Sequence, residues 1–149
     1  MGAGREQVEM AEELEREESE HNSFHSFHQT LELLSLPAEE ASKTSGHYNT
    51  AWEIRSDITG HPISYLTKST ALGLTTAHID AIATLVKLVT ALPEEAVSPK
   101  GINTRTIEGD IASMRHPAWE PVRKYAAALL EILKPVAIRN QAYFERSRA

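Results

Sequence analysis

The chain has no cysteine among its 149 residues. Disulfide scaffolds, thiol nucleophiles and cysteine-ligated zinc sites are therefore excluded, and a reducing, intracellular compartment is favoured. Long apolar runs are also missing. No stretch approaches eighteen consecutive apolar residues, so no membrane-spanning helix is expected. The opening segment MGAGREQVEMAEELEREESE is acidic where a secretory signal needs an apolar centre, and the expected location is cytoplasmic. Nor is there an excess of positive charge, since the formal net charge is -6. The imbalance is local: Glu6, Glu9, Glu12, Glu13, Glu15, Glu17, Glu18 and Glu20 face only Arg5 and Arg16, and residues 21 to 149 carry as many bases as acids. A neutral body lacks the electrostatic footprint for gripping long duplex DNA, whereas contact with short or single-stranded nucleic acid stays open. Gly-rich phosphate loops, nucleophile elbows and kinase signatures are absent from the sequence.

What is present is an ordinary globular composition, 41% hydrophobic and 24% charged, at the length of one domain spanning residues 1 to 149. From Arg5 to Ser35 there is no Gly or Pro, and Glu, Leu, Gln and Ala are abundant. That composition predicts one helix, about 45 Å long at 1.5 Å per residue, too long to lie wholly against a small domain. Phe24, Phe27, Leu31 and Leu34 form its apolar stripe. Residues 1 to 20 read as an acidic, projecting end. A short helical turn follows Pro37, and a loop is expected over Ser42 to Gly46. A second helix runs from about His47 to Thr59, stopped by Gly60 and Pro62. Residues 63 to 75 suggest a small extended or irregular element, and Thr76 to Leu92 is a strongly periodic helix. After a loop over residues 94 to 103, helices are expected from Thr104 to Arg115 and from near Pro121 onward, with Pro135 breaking the last one. The fold class is all-α, an up-and-down helical bundle.

One position stands out. Wound at 100° per residue, the second helix places Ala51, Trp52, Ile54 and Ile58 on one face and Arg55 among them. A guanidinium buried there without a partner costs several kcal/mol, so it needs a carboxylate, a carbonyl, a ligand or a second subunit. His61 follows six residues later, just past Gly60, where the chain can turn its imidazole back toward Arg55. Permanent cation plus neutral-pH proton carrier is a pair suited to phosphodiester chemistry.

The segment from Arg55 to Pro62 resembles the R-x(4–6)-H signature of HEPN domains, and IRSDITGHP is similar to an I-R-N-D-x-x-G-H-P form of it in some bacterial helical proteins. The resemblance implies an all-α homodimer whose Arg/His pairs meet at the interface and cleave single-stranded RNA without metal, the 2'-OH attacking its own phosphate to leave a cyclic phosphate. Arg55 would hold the phosphate and His61 would serve in acid/base work. Ser56 would help position them, standing where the motif usually carries Asn. Such a protein would act as a toxin or defence component. The rival reading is a non-catalytic helical interaction protein, of antitoxin, immunity or adaptor type, that uses the same face as its interface and its acidic helix to recruit a basic protein partner. The two differ in the fate of Arg55: an open groove shared with His61, or an internal carboxylate or carbonyl.

Weaker signals remain. His21, His25 and His28 share one side of the first helix, but no second helix supplies matching ligands, so no metal and no cofactor are expected. Arg115-His116-Pro117 reads as a surface turn, and Trp52 and Trp119 as core or interface anchors.

Overall fold

A computed structural model describes residues 2–60, 66, 68 and 71–147 of the chain. Among these the protein is all-α, with eight helices and no strand: α1 (Gly2–Ser35), α2 (Ala38–Thr44), α3 (Thr50–Thr59), α4 (Thr76–Thr90), α5 (Glu94–Val97), α6 (Ile107–Met114), α7 (Trp119–Ile132) and α8 (Lys134–Ser147). The extended element expected around residues 63 to 75 lies mostly outside the described residues; Ala71 to Thr75 form a turn and irregular chain leading into α4.

The long first helix is the spine. Its second half buries Phe24, Phe27, Leu31 and Leu34 against α7, α3 and α8. Its first half behaves differently, with every residue from Gly4 to Arg16 exposed, including Val8 at 57%, Met10 at 62% and Leu14 at 61%. The reason is composition: a stretch this acidic has too little apolar surface to repay docking on the body. Opposite the spine, Ile54 and Ile58 of α3, Ile82, Leu85 and Val89 of α4, and Trp119, Val122 and Leu129 of α7 close the core. Trp119 is fully buried, and its indole N–H donates to the Ala96 carbonyl at 2.9 Å, which pins the short α5 onto α7. Arg123 donates from Nε to the Leu36 carbonyl at 2.8 Å and from Nη2 to the Met114 carbonyl at 3.2 Å. A cation thus clasps the chain where α1 and α6 end, where unsatisfied carbonyls favour positive charge.

Several boundaries differ from those expected. α2 runs on through Ser42, Lys43 and Thr44, because Ser42 is buried and tied to the body by its hydroxyl. α3 starts at Thr50 and not His47, since His47 and Asn49 both take positive φ, at 57° and 45°. The expected loop over residues 94 to 103 contains a helical turn, α5, held by the burial of Ala96 and Val97. Pro121 and Pro135 each sit in the first turn of a helix, where a missing N–H costs nothing; the break falls at Leu133.

The left-handed Asn49 cannot cap α3 itself. Its side chain turns away and accepts from the Thr104 hydroxyl at 2.5 Å. Asp110, from α6, takes over. Fully buried, its carboxylate accepts from the Thr50 backbone N–H at 2.7 Å, the Thr50 hydroxyl at 2.6 Å and the Ser42 hydroxyl at 2.5 Å. A negative group at a helix N-terminus with three donors satisfies both the helix end and its own desolvation. Replacing Asp110 by Ala strands three buried donors, each worth about 1–3 kcal/mol when unmade. Urea denaturation of Asp110→Ala should show a loss of at least about 3 kcal/mol.

Candidate functional site

α3 buries a narrow strip, Ala51, Ile54 and Ile58, at helical spacing. Arg55 is next to that strip, not within it, and its side chain keeps 27% of its exposure. The wider apolar face anticipated from the sequence does not close. Trp52 is 52% exposed, and Tyr48, just before the helix, is 47% exposed, because the core takes the i, i+3, i+7 line of Ala51, Ile54 and Ile58. Arg55 meets a carboxylate: Nη1 lies 2.9 Å from Oε2 of Glu94, the first residue of α5.

Ser56 opens in a different direction. It is exposed and lines a groove of about 980 Å³ between α1 and α3, together with Thr30, Leu33 and Asp57. In that groove the Thr30 hydroxyl approaches Asp57 Oδ2 at 3.5 Å, and burial against α1 pushes the Asp57 carboxyl above its ordinary 3.8, with the Thr30 hydrogen bond opposing the shift. His61 and Pro62 lie outside the described residues. Of the three residues singled out from the motif, Arg55 is therefore placed on Glu94 and Ser56 in another groove.

The histidines of α1 are each engaged separately. His28 Nδ1 lies 2.8 Å from Glu32 Oε1, and His25 meets Phe144 edge-on. No three His, Asp or Glu side chains converge on a metal-sized site among the described residues. His21 is held most tightly. Its Nδ1 is 2.6 Å from Asn140 Oδ1, while Asn140 Nδ2 donates to the His21 carbonyl at 3.2 Å. That second bond fixes the amide, so Nδ1 carries the proton and Nε2 the lone pair. Tyr143 stacks on the imidazole at 3.7 Å with 12° between the planes. The sequence reading missed this group because it followed the last helix only as far as Val136. The available signal was Arg139, Tyr143 and Arg146 at i, i+4 and i+7, one face of α8.

Elsewhere, Arg115 pairs with Glu39, and His116 Nδ1 accepts from the Ala118 N–H at 3.1 Å, within the turn that starts α7. No protein-family model, curated protein or solved structure matches this chain.

Two outcomes follow from this geometry. Arg55–Glu94 is a partly solvated pair, so a double-mutant cycle of Arg55→Met and Glu94→Gln, read by urea denaturation, should give a coupling below about 1 kcal/mol. Asp57 binds its proton more tightly in the folded chain than in the unfolded one, so its ionisation disfavours the fold, and stability falls as pH rises through its raised value. Asp57→Asn should melt at or above the wild-type temperature at pH 7, and the gap should close as the pH drops toward 3.8.

Proposed function

We propose that this chain is a non-catalytic helical interaction protein, of antitoxin, immunity or adaptor type, whose α3 face forms its interface in a homodimer. The observation that carries the reading is the division of labour on α3. Arg55 is engaged by Glu94 within the chain, whereas Trp52 in the first turn of the helix and Tyr48 just before it are exposed. Exposed Trp and Tyr beside an Arg is the composition of an interface hot spot. Tyr48 is followed by Asn49, which is hydrogen-bonded to Thr104, so the loop carrying the 43% exposed Ile102 and the start of α6 with the 58% exposed Ile107 border the same end of α3. Together they supply apolar surface of the kind that monomers seldom leave uncovered.

On this reading the HEPN-like segment is a structural motif put to use as a contact surface, and the acidic, fully exposed half of α1 serves to attract a basic protein partner through long-range charge. The ribonuclease reading asks more of α3: Arg55 must leave Glu94, and Ser56 must turn from the α1 groove toward it.

Sedimentation of the wild type should give a dimer, and Trp52→Glu, a change at an exposed position, should give a folded monomer. In parallel, labelled single-stranded RNA incubated with chelator should stay intact with the wild type and with Arg55→Ala alike. A wild-type monomer overturns the homodimer interface on α3, and metal-independent cleavage lost in Arg55→Ala and His61→Ala overturns the interaction reading in favour of the nuclease.

A further inference from the structure

The tightly held His21 borders a cavity of about 400 Å³ between α1, α8 and the chain leading into α4, within the range of small-ligand sites. Arg139 and Arg146 both line it, from one face of α8, two turns or about 10.5 Å apart along the axis. No carboxylate lies within 4.0 Å of either guanidinium among the described residues, whereas Arg55, Arg115 and Arg123 each have one. Arg139 leans its Nη2 toward the carbonyls of Leu72 and Gly73 at 3.5 Å, which orients it and leaves its remaining donors uncommitted. Gly73, at φ +66°, makes the room: a Cβ there would come within 3.3 Å of the same nitrogen.

The walls have a defined chemistry. His21, 8% exposed, and Asn140, 4% exposed, are locked to each other, and the His21 Nε2 has no protein partner among the described residues. Tyr143 adds a hydroxyl whose pKa burial raises above the ordinary 10.0, with Glu18 and Glu17 pushing the same way. Val136 and Ala142 contribute apolar surface, and Glu17 brings one opposing charge from α1. Arg139, Arg146 and Glu17 are the charged residues that line the cavity, with Glu18 near enough to act on Tyr143. Two guanidiniums on one helix face can both donate to a single anion held between them.

We infer that this cavity binds a small phosphate monoester, with Arg139 and Arg146 holding the phosphate and the apolar wall of α8 taking the organic moiety. Arginine's planar fork suits a tetrahedral oxyanion, and the volume exceeds what a bare phosphate fills. The site is independent of α3 and of the proposed interface.

Titration calorimetry in a phosphate-free buffer tests it, with inorganic phosphate and a ribonucleoside 5'-monophosphate as separate probes. The monophosphate should bind saturably at one site per chain and about tenfold more tightly than inorganic phosphate. Arg139→Gln and Arg146→Gln, both at exposed positions, should each weaken it about tenfold or more while thermal melts stay near wild type. Glu17→Gln should tighten it, an effect that a merely structural role for Glu17 does not produce. Arg55→Ala should leave it unchanged. Absence of saturable binding by either probe, or equal binding by the wild type and both arginine variants, overturns the site; equal affinity for the two probes overturns the monoester assignment.

Discussion

Asp110 holds the architecture in register. A buried carboxylate is costly unless every lone pair it presents is met, and here one side chain from α6 satisfies the N-terminus of α3 through Thr50 and the interior of α2 through Ser42. Two consecutive helices and a third some sixty residues on are thereby fixed at one point. The direction of α3 follows: Ile54 and Ile58 turn into the core, Arg55 reaches Glu94, and Ser56 is delivered to the α1 groove. His47 extends the arrangement outward, its Nδ1 lying 3.0 Å from the Ser42 hydroxyl that donates to Asp110. With the serine hydroxyl fully buried between imidazole and carboxylate, the trio is built for anchoring the helix and not for attack on a substrate.

The remaining charge is distributed by the same economy of desolvation. Arg123 spends its donors on helix-end carbonyls and on Glu120, Arg115 pairs with Glu39, and Arg55 with Glu94. The acids in the first twenty residues are mostly kept in water by a helix that outgrows the body. Arg139 and Arg146 depart from that pattern, sharing one cavity without a paired carboxylate among the described residues, beside the imidazole of His21 that Asn140 holds. An interaction surface on α3 and a small-anion cavity on α8 occupy different elements, so each is open to perturbation without the other.

Local signals were legible from residue order alone where they were repetitive. The Gly- and Pro-free run with Phe24, Phe27, Leu31 and Leu34 specified a long helix with one buried end, and the line of Ile79, Ile82, Val86 and Val89 with Leu85, Leu88 and Leu92 beside it specified α4, where Ile82, Leu85 and Val89 are buried. Chain punctuation was less decisive. The SKT segment reads as a loop by propensity, yet burial of Ser42 keeps it helical. The placing of Arg55 in the middle of an apolar face failed in a related way: a helical wheel gives angles but not how wide a stripe the neighbours will cover, and only Thr50, Ala51, Ile54 and Ile58 of α3 are buried.

Helical character, the acidic projecting arm and the absence of thiol chemistry were settled by residue order, because periodicity, local composition and a missing residue type are properties of the chain itself. Tertiary structure alone decided that Arg55 answers to Glu94, that Trp52 faces water while Trp119 does not, and that His21 meets Asn140 across 119 positions. Those pairings depend on which surfaces the helices turn toward one another, and that is set by the sum of many packing contacts that no single segment encodes.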